Sequence, residues 1–306
     1  MRREYNRKKT TLVKTAALFL VLAAAVFFPL APFPAPNALS APANSPAERF
    51  PAPAETPMIL PIVMYHSTHA KKPGKYNVPP AQFETDILYL KEKSCTPINV
   101  ADLIRYVQTG ETVEKPIMIT FDDGYMNNYF HIFPILKKHN VKCVMATIGR
   151  LTDNNYLKDD KTVNMTWSHL TYEQMKEMND SGLVEIQNHT YNMHGFGKGL
   201  GGRYGLKLKT GESVADYEKA VRADLSKWQN KLQARAGIRP TAVAYPFGSY
   251  NKELIRIIKD LGFFAGFTCN EHVNRLTRQS DLFRLGRYNR AYGKSSAEFF
   301  KRLGIE

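Results

Sequence analysis

Two neighbouring carboxylates, Asp122 and Asp123, close the run Pro-Ile-Met-Ile-Thr-Phe-Asp-Asp-Gly-Tyr that spans Pro116 to Tyr125. Ile117 to Phe121 is short, apolar and rich in β-branched residues, the composition of a buried strand. In α/β proteins catalytic groups gather where strands run into loops. Adjacent carboxylates there divide the labour: one holds a cation while the other stays free as a base. Asp-Asp-Gly is also an ordinary turn, so a second cluster has to decide. Leu183 to His194 supplies one, a further apolar run passing into a loop that carries His189 and His194. Residues five apart lie about 140° apart around a helix axis, so this pair cannot share a helical face as a metalloprotease His-x-x-x-His pair does. An irregular turn must bring the rings together. Imidazoles with a carboxylate, and a position left for water, make the pattern of a catalytic zinc site, although histidines in polar loops are commonly plain surface residues.

Taken together, Thr120-Phe-Asp-Asp-Gly-Tyr125 and His189-Thr190 through His194 resemble the first and second motifs of the NodB-homology polysaccharide deacetylases, carbohydrate esterase family four. Ala244-Tyr-Pro-Phe-Gly-Ser-Tyr-Asn251 resembles the aromatic wall that the family builds from a Pro-aromatic-Gly turn. The likeness spans roughly Leu60 to Asn289. It implies a distorted, seven-stranded (β/α) barrel, with Asp122 as general base and Asp123, His189 and His194 as ligands of a divalent metal, zinc foremost. The five-residue histidine spacing and the opening Leu60-Pro-Ile-Val-Met-Tyr-His66 resemble the branch that deacetylates poly-N-acetylglucosamine. Two departures stand out. The Arg that usually precedes the Pro-aromatic turn and orients the base is replaced by Ala244 and Tyr245, leaving Arg284 or Arg287 as substitutes. The late Leu-x-His that supplies the acid is absent, so His66, after the first strand, is the candidate acid and His272 the fallback. Tyr125 and the turn Tyr245, Pro246, Phe247 and Gly248 are the expected substrate contacts, with a backbone N–H of that turn facing the oxyanion.

The surrounding pattern must hold these groups in place. Val63–Tyr65 reads as a first strand, Gln82–Lys93 and Ala101–Gln108 as helices, Pro134–His139 as a helix, and Lys142–Ile148 as a strand. Thr171-Tyr-Glu-Gln174 fits a capping box opening a helix that Gly182 closes. Ser213–Ala236 is the longest helical candidate, with Tyr217, Val221, Leu225, Trp228 and Leu232 forming a core-facing stripe. Ala242–Tyr245, Phe264–Thr268 and Leu282–Tyr288 read as later strands, with a helix over Lys252–Leu261. Such alternation argues for a parallel α/β sheet.

The first 33 residues read as a cationic start and a signal peptide or membrane anchor. The apolar run Thr15–Leu30 is short for a spanning helix but suits a signal core, and Ala31–Phe33 can extend it. Positive charge ahead of it places the domain outside the cytoplasm, secreted or membrane-anchored. Residues 34–57, rich in Pro and Ala, read as a linker, and 58–306 as the catalytic domain. The chain carries +14. The first fourteen residues hold six basic groups against Glu4, which leaves +9 for the rest, a balance suited to an anionic surface. No basic-aromatic or helix-turn-helix motif supports nucleic acid as partner. Cys95, Cys143 and Cys269 form no CxxC pair; Cys143 and Cys269 fall in apparent strands, as small buried residues do. Gly197–Gly202 satisfies GxGxxG but follows a loop instead of a strand, so it does not signal a dinucleotide; Gly195–Thr210 reads as a loop at the substrate rim.

The expected function is a metal-dependent N-deacetylase acting on an extracellular N-acetylglucosamine polymer or peptidoglycan. The competing expectations are a catalytically silent wall-binding module of the same fold and a metal-free glycosidase using Asp122 with a second carboxylate.

Overall fold

The computed structural model describes residues 56–71, 73–156, 164–195, 203–278, 280 and 282–306. The proposed leader and linker up to residue 55, and the GxGxxG segment, lie outside them. The first half runs β1 (Met58–Leu60), β2 (Ile62–Tyr65), α1 (Pro80–Glu92), β3 (Thr96–Ile98), α2 (Val100–Thr109), β4 (Pro116–Phe121), α3 (Met126–His139), β5 (Cys143–Thr147), α4 (Gly149–Tyr156) and α5 (Tyr172–Asp180). The second half runs β6 (Val184–Asn188), α6 (Val214–Ala236), β7 (Ala242–Ala244), α7 (Lys252–Asp260), β8 (Ala265–Phe267), β9 (Asn274–Leu276), β10 (Tyr288–Asn289) and α8 (Ser296–Lys301).

Seven strands pair in parallel in the order β10-β2-β4-β5-β6-β7-β8, with β3 added on β4, while β1 and β9 form a separate antiparallel ribbon. Parallel strands buried on both faces need continuous apolar sequence. All six residues of β4 and all five of β5 are buried. The last segment draws the two edges of the sheet together. Leu285 bridges to Phe267 of β8, and two residues past Arg287 the chain has paired with β2 through Tyr288 and Asn289. The result is the distorted (β/α) barrel.

Local chemistry explains most element boundaries. Thr171 and Gln174 form a reciprocal capping box at the start of α5. Ser213 accepts from Asp216 N at the start of α6, and Gly237 ends that helix in the left-handed region, at φ 71°. Tyr217, Val221, Leu225, Trp228 and Leu232 are fully buried, as their helical spacing demands.

Three expectations need correction. Helix α3 starts at Met126 instead of Pro134, which sits inside it. Leu282–Tyr288 is not one strand: it opens with a 3-10 turn over Leu282–Arg284 and pairs as β10 only from Tyr288. Cys269 lies beyond β8 and is exposed, whereas Cys143 is buried in β5; all three cysteines are free.

Candidate active site

The site is assembled at the C-terminal ends of β2, β4 and β6 and in the turn after β7. The Asp122 amide donates to Tyr65 O at 2.9 Å, carrying the β2–β4 ladder one residue past its end. Asp123 and Gly124 then turn through the left-handed region at φ 71° and 74°. The turn sends the two carboxylates to different partners. Only glycine fits at 124, because a Cβ there would lie 2.8 Å from Thr147 Cγ2.

Asp122 is clamped by Arg287, whose two terminal nitrogens donate to Oδ1 and Oδ2, each at 2.7 Å. The guanidinium also donates to Thr120 Oγ1 and to Thr268 O, and it is fully buried. Burial alone would raise the Asp122 pKa; the Arg287 charge and hydrogen bonds, with nearby His189, outweigh burial and hold the carboxyl below the usual range. Arg284, the other candidate for this role, is exposed and lines a separate small cavity with His272. Neither belongs to the cleft. The base-orienting arginine therefore comes from the segment that closes the barrel.

Asp123, His189 and His194 place one ligand atom each within 4.8 Å of one another. Asp123 Oδ1 lies 3.5 Å from His189 Nε2 and 3.3 Å from His194 Nε2. A tetrahedral cation with bonds of about 2.0–2.1 Å sets its ligand atoms roughly 3.3–3.4 Å apart, so Asp123 Oδ1 stands at close to that spacing from each imidazole. His189 Nδ1 faces Ala244 O at 2.8 Å. This carbonyl fixes a proton on Nδ1 and aims Nε2 at the cleft. Burial opposes a charge on the ring, but Asp122, Asp123 and the Ala244 carbonyl together raise the His189 pKa. Nε2 faces Asp123 Oδ1, a buried oxygen with no hydrogen-bond partner. A positive charge belongs between these atoms, and a cation held by Nε2 and Oδ1 supplies it. Burial and the neighbouring His189 push the His194 pKa down to about 4, which keeps its imidazole neutral and able to ligate.

His66 shares this cleft and packs against Tyr76, with ring centroids 4.7 Å apart and planes tilted by 59°. Burial lowers its pKa. Tyr125 lines the cleft beside Asp123 and stacks on His169 at 4.9 Å; burial and then the Asp123 charge raise its phenol pKa. In the Pro-aromatic turn only Phe247 reaches the cleft, at φ 59°, packing on His194 and on Tyr204. Tyr245 is buried and donates its hydroxyl to Phe283 O, and Pro246 is buried behind the turn, so their expected side-chain contacts with substrate are not there. The Tyr245 and Gly248 amides donate within the protein, to Phe267 O and Tyr245 O, and proline has none. Asp123, Thr190 and Phe247, three of the non-glycine residues at positive φ, all sit around this one cleft. Each such conformation costs roughly 1–2 kcal/mol, and strain of this kind gathers at functional sites.

The cleft encloses about 440 Å³ and is also lined by Lys75, Tyr76, Tyr204, Cys269, Glu271 and Asn289. Tyr204 belongs to the Gly195–Thr210 segment expected at the substrate rim, and Asn289 ends β10. Lys75, Tyr76, Cys269 and Glu271 come from loops and carry no motif, so no spacing rule points to them.

Comparisons with known proteins agree with this geometry. The polysaccharide deacetylase family model matches residues 109–266, just over half of the chain. The poly-beta-1,6-N-acetyl-D-glucosamine N-deacetylase of Staphylococcus epidermidis is 27% identical over 218 residues, covering 71% of this chain and 69% of that protein. The solved structure of Streptococcus pyogenes deacetylase PplD in complex with acetate superposes with a TM-score of 0.66 at 25% identity, covering 82% of this chain and 100% of that one. IcaB from Ammonifex degensii, at 23% identity, shares the fold with a TM-score of 0.63 over 76% of this chain and 92% of its own.

Proposed function

The chain belongs to the polysaccharide deacetylase family, and from that premise we propose that it is a metal-dependent N-deacetylase of an extracytoplasmic polymer of β-1,6-linked N-acetylglucosamine. One observation carries the reading: a carboxylate clamped by arginine stands beside a carboxylate–imidazole triad of metal-site dimensions. The β-1,6 linkage is supported by the relative from Staphylococcus epidermidis and by the histidine spacing.

Asp123, His189 and His194 would hold a divalent cation, with zinc favoured by two imidazoles and one carboxylate. When bound, it polarises the acetamide carbonyl and makes a water ionisable near neutral pH. Asp122 takes the proton from the attacking water. Arg287 keeps Asp122 ionised and spends one lone pair on each oxygen, leaving the others toward the cleft. His66 gives a proton to the leaving nitrogen; burial disfavours its charged form, so a proton it carries is readily transferred. The products are a glucosamine unit and acetate.

We assign residues 1–33 to a leader or anchor, 34–57 to a linker and 58–306 to the catalytic domain, on the charge and apolar pattern of the sequence. The test of the substrate is acetate release from β-1,6-linked N-acetylglucosamine oligomers, chitin oligomers and peptidoglycan. Fastest release from the β-1,6 series is expected. Faster release from peptidoglycan would move the substrate to the cell wall, and no release from any of them would overturn the proposal.

A further inference from the structure

Between the two histidines the chain makes the irregular turn that their spacing requires, and its backbone is held in an unusual way. The four amides from Thr190 to Met193 donate to side chains. Thr190 N donates to Asn188 Oδ1 at 2.7 Å, and Met193 N to Thr190 Oγ1 at 3.1 Å. The middle two, Tyr191 N and Asn192 N, donate to Oδ1 and Oδ2 of Asp224, each at 2.8 Å. Asp224 is 30 residues downstream of His194 on α6, one turn from Val221 and Trp228 on the core-facing side of that helix. A carboxylate there loses hydration and needs partners, and its hydrogen bonds to them are charge-assisted and correspondingly strong.

We infer that Asp224 is the positioning residue of the metal site: it folds the His189–His194 turn into the shape that brings the two Nε2 atoms to one point. The inference rests on the metal reading above, and it goes beyond that reading by assigning the geometry of the ligands to a carboxylate that touches none of them. The remaining supports act around it. Asn188 Nδ2 donates to Leu225 O, which ties the end of β6 to the same turn of α6. Gly149 N and Arg150 N donate to Thr190 O and Tyr191 O and pin the outer side of the loop. Among these supports of the loop, Asp224 is the one that accepts from two consecutive amides of it. Its removal frees the Tyr191 and Asn192 amides while the Thr190 and Tyr191 carbonyls keep their bonds to Gly149 and Arg150.

The experiment is zinc titration of wild type, Asp224→Ala and Asp224→Asn against a chromogenic chelator, with the melting temperature of each recorded in chelator and in zinc. Asp224→Asn preserves volume and one acceptor, so it remains informative if Asp224→Ala does not fold. Outer-shell changes cost about 10–100-fold in metal affinity. We expect a loss in that range for Asp224→Ala and a smaller one for Asp224→Asn. The rise in melting temperature that zinc produces should shrink in the same order. A residue with a purely structural role would lower both melting temperatures equally and leave zinc affinity unchanged, and that result overturns the inference while the metal site stands. If wild type itself takes up no zinc, both readings fall.

Discussion

At the scale of residues, the adjacent carboxylates do different things because a left-handed turn separates their side chains. Asp122→Asn keeps the shape of the side chain and all three proposed ligands, but it cannot accept a proton. Loss of a general base costs about two to four orders of magnitude in rate. The variant should hold zinc at wild-type stoichiometry and release almost no acetate, as measured by metal analysis and an acetate assay on one preparation. Arg287→Met leaves Asp122 buried without its counter-charge, and breaking such a pair costs about 3–5 kcal/mol. Urea unfolding should show a loss of that size. It should show a smaller loss in the Asp122→Asn/Arg287→Met double variant, which removes the stranded charge. The ligand triad was legible through the resemblance of Thr120–Tyr125 and His189–His194 to the motifs of the family; residue types at strand ends alone left an ordinary turn and surface histidines open. The Pro-aromatic turn was less so. Tyr245 and Phe247 look equivalent in sequence, yet the left-handed backbone at Phe247 turns one ring into the cleft while Tyr245 stays in the core. The choice between Arg284 and Arg287 depended on where the last strand begins, which neither periodicity nor charge specifies.

At the scale of elements, the central parallel strands were readable from their apolar runs and α5 from its capping box, while β1, β3, β9, α4 and α8 are too short or too weakly patterned to read; α3 is the instructive case. The first half of α3, Met-Asn-Asn-Tyr-Phe-His-Ile-Phe, is made of weak helix formers. It is helical because its asparagines have tertiary partners: Asn127 accepts from Thr68 N, and Asn128 donates to His66 O. The same bonds fix the loop that carries His66, so a local propensity rule fails at a place where the fold serves the site. A second joint ties α1 to the end of the chain. Asp86 is fully buried and accepts from Arg290 Nε and Nη2, from the Tyr65 hydroxyl and from Ser296. Asp86→Ala strands the Arg290 charge and should cost about 3–5 kcal/mol. Chemical denaturation measures the loss, while zinc affinity should stay within twofold of wild type because this joint does not contact the ligands.

At the scale of the whole molecule, metal and stability are linked, since a cation that binds only the folded chain stabilises it by mass action. Free zinc at 100 times its dissociation constant adds about 2.7 kcal/mol. For a domain of this size that corresponds to a rise of roughly 5–10 °C in melting temperature. Differential scanning fluorimetry should show that rise in wild type and in Asp122→Asn, and should show none in His194→Ala, which lacks one of three ligands. The central claim is that Asp123, His189 and His194 hold the ion on which acetate release depends. The direct measurement strips the protein with chelator, then adds zinc back stepwise while following acetate release from a fully acetylated β-1,6-linked N-acetylglucosamine oligomer. The account predicts no release at the start and a linear recovery that saturates at one zinc per chain. Undiminished release from the stripped protein would contradict it.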